Sequence, residues 1–185
     1  DKKLYIIDEI TGITPNNTVK QVCNEFKRRY PLHAAGMFVY GDATANKEDT
    51  KMEKGYNFYR MILDELKEYR PNSRVLRSNP SVAMRGNFIN TILEKNFNGI
   101  EINVSPDCKK TIEDLTNVKE AADGTKNKDS ITDPATRVRY QKYGHLSDCL
   151  DYVMVSAFAD DYQQYQRGGI LTMPTLGKNV SKNIY

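Results

Sequence analysis

The chain predicts an α/β layered domain with parallel strand pairing. Short β-prone runs alternate with amphipathic helical segments, which is the signature of strands connected through helices. The most apolar run, Met37-Phe38-Val39-Tyr40, is uninterrupted, as expected of a strand covered on both faces. Length sets the same scale: 185 residues, 39% hydrophobic and 28% charged, suffice for one packed domain and argue against global disorder.

Leu4-Tyr5-Ile6-Ile7 is the first β-prone run and ends in Asp8-Glu9, with a turn signal at Thr11-Gly12. Thr14-Pro15-Asn16-Asn17 then supplies a capping residue and an early proline for a helix start. Val19, Val22, Cys23, Phe26 and Tyr30 follow at helical spacing, and Pro31 stops the helix. The apolar run at 37–40 closes abruptly at Gly41-Asp42, and residues 43–55 are polar.

Phe58, Tyr59, Ile62, Leu63, Leu66 and Tyr69 mark a second amphipathic helix, and Arg74-Val75-Leu76 reads as a further strand. Asn79-Pro80 opens a third helix with Met84, Phe88, Ile89, Ile92 and Leu93 facing inward. Ile100 to Val104 is a brief strand, and Ser105-Pro106 starts a helix carrying Cys108, Ile112 and Leu115. Residues 119–143 are polar, with a turn at Asp123-Gly124 and β-prone Arg137-Val138-Arg139-Tyr140, and read as a hairpin or a flexible excursion. The last helix runs from about His145 to about Asp160. The expected domain therefore covers 1–160, and 161–185 is a tail of loop composition.

Several functions are excluded. No Gly-x-x-x-x-Gly-Lys-Ser/Thr loop, Gly-x-Ser-x-Gly elbow or His-Glu-x-x-His pair occurs. Three widely spaced cysteines (Cys23, Cys108, Cys149) argue against a disulfide framework and against a cysteine zinc site. They suit a reducing cytoplasm. No apolar run approaches the roughly 18 residues of a membrane span, so no membrane partner is expected. The net charge of +3 carries little weight, but Lys109, Lys110, Arg137, Arg139 and Lys142 cluster within 107–143.

Three polar features bear on chemistry. Asp42 stands at the carboxyl end of the most apolar strand, where α/β sheets bind ligands, although aspartate is also an ordinary turn residue. His145 and Asp148 are three residues apart, so on one helical turn an imidazole and a carboxylate share a face and can clamp a divalent ion. Plain helix capping by Ser147 or Asp148 explains the same spacing. Asp151 follows three residues later, either behind that pair or as a solvated first-turn acid.

The order of these pieces resembles the nuclease domain of tailed-phage large terminase subunits over roughly residues 1–160. The resemblance is carried by Leu4-Tyr5-Ile6-Ile7-Asp8-Glu9-Ile10, by the strand ending in Asp42, and by Arg85-Gly86-Asn87-Phe88-Ile89-Asn90. The closing Gly144-His145-Leu146-Ser147-Asp148-Cys149-Leu150-Asp151-Tyr152, a Gly-His-x-x-Asp-x-x-x-Tyr pattern, is the most specific part. The resemblance implies a ribonuclease-H-like mixed sheet flanked by helices. It also implies a two-metal Mg²⁺ or Mn²⁺ site that cuts concatemeric double-stranded DNA during packaging.

Asp42, His145 and Asp148 would then be the catalytic metal ligands, with Asp151 behind them; Asp8 and Glu9 either join Asp151 there or, as the favoured reading, are a strand-end pair with no metal role. Arg85, Lys109, Lys110, Arg137, Arg139 and Lys142 are the candidates for phosphate contacts, although each taken singly reads more readily as solvated surface charge. The implied partners are the terminase ATPase domain, the portal and the small terminase subunit, in the cytoplasm of a phage-carrying bacterial host. The family's first catalytic aspartate, on an initial strand, has no match here. The chain therefore reads as lacking the first strands, with a weakened metal site and unpaired strand edges that favour self-association. The alternatives are a non-catalytic DNA-binding or docking module on the same fold, or a resolvase or transposase core.

Overall fold

The computed structural model describes residues 2–12, 16–47, 55–95, 97–134 and 137–168. In chain order its elements begin with β1 (Lys3–Ile6), α1 (Val19–Arg29), β2 (Met37–Val39), α2 (Phe58–Glu65), β3 (Pro71–Ser73) and α3 (Val82–Leu93). β4 (Glu101–Val104), α4 (Lys109–Asn117), β5 (Lys119–Glu120) and β6 (Lys126–Asn127) follow. The last elements are β7 (Ser130–Thr132), β8 (Arg139–Gln141), α5 (His145–Ala157) and α6 (Ala159–Gly168). The protein is thus mixed α/β, with parallel and antiparallel strand pairs. It divides into two compact units, Asp1–Glu9 with Pro80–Tyr185, and Ile10–Asn79.

In the first unit β1 and β4 pair in parallel, from Lys3↔Glu101 to Ile6↔Val104. Ser105 N–H donates to the Ile6 carbonyl at 2.8 Å and prolongs the ladder. The core is Phe88, Ile89 and Ile92 of α3 with Ile100, Cys108, Val118, Met154 and Val155, all essentially excluded from water. Phe88 meets Phe97, Tyr162 and Tyr165 at centroid distances of 5.8, 5.2 and 5.3 Å, in tilted or edge-on arrangements favoured by aromatic quadrupoles. α6 is helical across residue 161, where the sequence suggests a tail. Its Asp161 holds Lys2 at 2.6 Å and Asn98 at 2.7 Å. The remainder of the expected tail, 169–185, lies outside the described residues.

The 119–143 excursion forms two antiparallel pairs rather than one, β5 with β6 and β7 with β8. Asp123 accepts from Thr125 N–H and Oγ1 at 3.0 and 2.6 Å and shapes the first turn around left-handed Gly124. Every ladder residue of β7–β8 is exposed, so that ribbon projects from its unit.

In the second unit α1 begins after Thr18, whose hydroxyl accepts from Gln21 N–H while the Gln21 side chain accepts from Thr18 N–H. The helix thus starts later than the start expected at Thr14-Pro15-Asn16-Asn17, of which Thr14 and Pro15 are outside the described residues. Cys23, Leu66 and Tyr69 form the unit's small core, with Val19, Phe26, Met37 and Ile62 against it.

Two expectations fail in this unit. β2 is not covered on both faces: Phe38 is 56% exposed, and the Arg74 guanidinium lies 4.7 Å from its ring centroid. The strand expected at 74–76 sits instead at Pro71–Ser73, paired in parallel with Met37–Val39. Left-handed Arg70 (φ 51°) ends the preceding 3-10 turn and launches the strand early. Proline is tolerated as its first residue.

Candidate functional site

The site of the first unit is the first turn of α5. Gly144 precedes it with φ 103°, a conformation that disfavours any side chain. A Cβ there would stand 2.7 Å from Cε of Lys128. Glycine supplies no side-chain cap, so α4 supplies one: Asp114 Oδ2 accepts from Leu146 and Ser147 N–H at 2.8 and 3.1 Å. A carboxylate on two orphan helix donors, favoured also by the helix dipole, fixes the turn that carries His145 and Asp148. Gly144→Ala is expected to cost about 1–3 kcal/mol from backbone strain and displacement of the Lys128 stem. The shift of the urea unfolding midpoint measures it.

Around Asp148 lies an ion-pair network that sequence spacing does not reveal. Lys126 and Lys128 flank the carboxylate, Lys126 Nζ at 3.1 Å from Oδ1 and Lys128 in close contact with Oδ2. Lys126 also reaches Asp151 Oδ2 at 2.8 Å and Ser147 Oγ at 3.2 Å. Arg85 of α3 approaches Asp151 at 3.4 Å, donates to the Pro80 carbonyl at 3.0 Å, and stacks 4.7 Å from the Tyr152 ring centroid. Burial pushes the Asp151 carboxyl up to about 6, against the pull of Lys126 and Arg85 toward the ionised form.

Two assignments change as a result. Arg85, expected at DNA phosphate, is only 2% exposed and is bound within the unit, so it does not present a guanidinium to a ligand. Glu9 is engaged at the start of α4. Its carboxylate accepts from Lys110 N–H, Thr111 N–H and Thr111 Oγ1 at 2.9, 2.8 and 2.9 Å and caps α4, whose Cys108 offers no side-chain cap. Asp8 accepts from Glu9 N–H at 2.8 Å, and Asp151 is fully buried rather than a solvated first-turn acid.

Lys109, Lys110, Arg137, Arg139 and Lys142 are exposed, the last lying 4.8 Å from the Tyr143 ring centroid. His145 is exposed on the same turn as the half-exposed Asp148.

In the second unit Asp42 lies three residues beyond the end of β2 at Val39 and caps the 3-10 turn Ala43–Asn46. Its Oδ1 accepts from Thr44 N–H and Oγ1, both at 2.7 Å, and from Asn79 Nδ2 at 2.6 Å. Asn79 Oδ1 in turn accepts from Ala43 N–H at 2.8 Å, and Tyr59 donates to the Asp42 carbonyl at 2.9 Å. Asp42 is thus a held turn carboxylate, and Asn79 is the residue that holds it.

Among the described residues no group of three or more His, Cys, Asp or Glu is placed to hold a metal ion. Carboxylate and imidazole are ligand types a hard divalent ion takes, but both Asp148 oxygens are held by the lysine ammonium groups. Among the described residues no helix is long and apolar enough to cross a membrane. Comparisons with the models of known protein families, with curated proteins and with solved structures find no match.

Proposed function

We propose that this chain is the nuclease domain of a tailed-phage large terminase, with a ribonuclease-H-like fold. In that role it cuts concatemeric double-stranded DNA by metal-dependent phosphodiester hydrolysis. The observation that carries the reading is the Gly144-His145-x-x-Asp148 turn, held at the start of α5 by Asp114 with Asp148 facing ammonium groups. A parallel strand followed, after Tyr40 and Gly41, by a fixed aspartate, Asp42, supports it. So does the exposed basic set Lys109, Lys110, Arg137, Arg139 and Lys142, suited to sequence-blind phosphate contact.

His145 and Asp148 are the residues of this unit that would hold Mg²⁺ or Mn²⁺, and Asp42 is assigned to the same task by the resemblance. When bound, such an ion activates water and neutralises charge on the phosphate. The chain's own groups do the rest. Asp114 keeps the ligand-bearing turn rigid, Lys126 fixes the rotamer of Asp148, and the exposed cations hold the backbone of the duplex. The terminase ATPase domain, the portal and the small subunit are the partners this role requires.

The test is nicking of supercoiled plasmid with Mn²⁺. Slow metal-dependent nicking is expected, and Asp148→Ala and Asp42→Ala should each reduce it by about 100-fold or more, roughly 3 kcal/mol of transition-state stabilisation. DNA binding that falls with salt, without cleavage in any condition, would instead establish a non-catalytic DNA-binding module on the same scaffold. The pairing of both Asp148 oxygens with lysines favours that second reading over other nuclease classes.

A further inference from the structure

The two-stranded sheet of the second unit holds an aromatic ring out to solvent. Phe38 is in the middle of β2, and more than half of its surface is exposed. Its register partner is Asn72 of β3, and Arg74 N–H, donating to the Val39 carbonyl at 2.8 Å, extends the same parallel ladder. Register partners share a face of a sheet, as do residues two apart along one strand. Phe38, Tyr40, Asn72 and Arg74 therefore stand on one side. Their contacts agree: the rings of Phe38 and Tyr40 are 6.5 Å apart, and the Arg74 guanidinium is 4.7 Å from the Phe38 centroid. Asn72 and Arg74 are exposed with Phe38, and Tyr40 is half-buried.

Charge around this face has one sign. Residues 31–41 and 69–79, which hold both strands and their flanks, include Arg70, Arg74 and Arg77 and no aspartate, glutamate or lysine. The acids at their borders are engaged, Asp42 by Thr44 and Asn79 and Glu68 by Lys27. Arg70 is anchored on the Ala34 carbonyl, and Arg77 is exposed. All three cations are arginine, whose planar guanidinium stacks on rings and grips phosphate in a way lysine does not. Two copies of the chain meeting here would set like charges against each other, so the complement of this face is a polyanion.

We propose that this face binds an unpaired nucleic-acid strand. A base stacks on the Phe38 ring beside the Arg74 guanidinium, Asn72 offers its amide to the base edge, and Arg77 meets a phosphate. Bases within a duplex already stack on their neighbours, so an exposed ring selects bases that are splayed out. Stacking of this kind tolerates any sequence, because every base has a π-face. The second unit holds such a strand whether or not the first unit cuts DNA.

The test uses the full chain in chelator, so that no cleavage enters the readout and the nuclease reading stands or falls separately. Fluorescence anisotropy of a short labelled oligodeoxythymidylate should show salt-sensitive binding that Phe38→Ala weakens about five- to a hundredfold. Phe38→Tyr keeps a ring and should bind within about twofold of wild type. Arg77→Ala should lower the salt slope by about 0.7, the share of one single-strand phosphate. An abasic strand of equal length keeps every phosphate. It should bind more weakly than the base-bearing strand, and equally to wild type and Phe38→Ala.

Equal binding of oligodeoxythymidylate by wild type and Phe38→Ala would overturn the site, as would no binding at all. Equal binding of the abasic and base-bearing strands by wild type would overturn it too, and that comparison needs no variant to fold. A duplex bound as tightly as the single strand and weakened as much by Phe38→Ala would overturn the choice of an unpaired strand. Polyglutamate displacing the strand at equal charge would make the face a dock for an acidic protein instead.

Discussion

Arg85→Ala is expected to remove about 3–5 kcal/mol of folding stability, the cost of taking one cation out of a buried ion-pair network. The guanidinium is almost fully enclosed and serves three neighbours at once: the Asp151 carboxylate, the Pro80 carbonyl and the Tyr152 ring. Alanine would leave all three facing a void. Asp151 would retain only Lys126 among its two cationic partners described above. Urea unfolding followed by circular dichroism measures the effect, and with a typical slope the midpoint should fall by more than about 1 M. Arg85→Lys should recover part of the loss, because it restores charge without the planar fork and its stacking. A midpoint within about 0.2 M of wild type would mean that the interior tolerates Asp151 without Arg85, and the network would then rest on Lys126.

Asp151→Asn is expected to change the pH dependence of stability rather than remove a contact. The Asp151 carboxyl is raised from 3.8 to about 6, chiefly by burial. A group whose pKa is raised on folding binds its proton more tightly in the folded chain than in the unfolded one. Its contribution is therefore fully present below about pH 4 and is lost as pH rises through about 6. Relative to Asp151→Asn, wild-type stability should fall between about pH 4 and pH 7, by on the order of 2–3 kcal/mol. Carboxylates with depressed values, such as Asp161 beside Lys2, act in the opposite direction but are common to both proteins and cancel in the difference. Parallel stability–pH curves for the two proteins would show that Lys126 and Arg85 fully compensate the burial.

The helical half of the fold was legible because helices announce themselves locally. The apolar spacing of Phe88, Ile89 and Ile92 named the inner face of α3, and all three are in the core. Met84 and Leu93, read onto the same face, are each 36% exposed and flank the buried stripe. The strand at 71–73 was missed because its composition, Pro-Asn-Ser, is poor in β-formers. Only pairing with Met37–Val39 makes it a strand.

The candidate site was legible in part for a similar reason. The His145-x-x-Asp148 spacing lies on one helix and can be read directly. Lys126, Lys128, Asp114 and Arg85 reach α5 from other elements, and no local pattern encodes such contacts. The available signal was the Asp123-Gly124 turn, which implies a tight return and sets Lys126 and Lys128 in one extended stretch. Arg85 was assigned to phosphate by charge alone, whereas its buried position depends on an acid 66 residues away.

The parallel pairing of β1 with β4 also orders events during folding. Lys3 and Glu101 are register partners, and the whole of Ile10–Asn79 is threaded between the two strands. Those intervening residues are contiguous, so they can reach their own packed state while still being synthesised. The unit holding α5 must wait until β4 has emerged and a loop of nearly a hundred residues has closed. That closure is slow for topological reasons, whatever the final stability. A substitution that weakens the β1–β4 ladder is therefore felt first as delayed assembly and longer exposure of the aromatic face around Phe88, and only afterwards as a lower melting point.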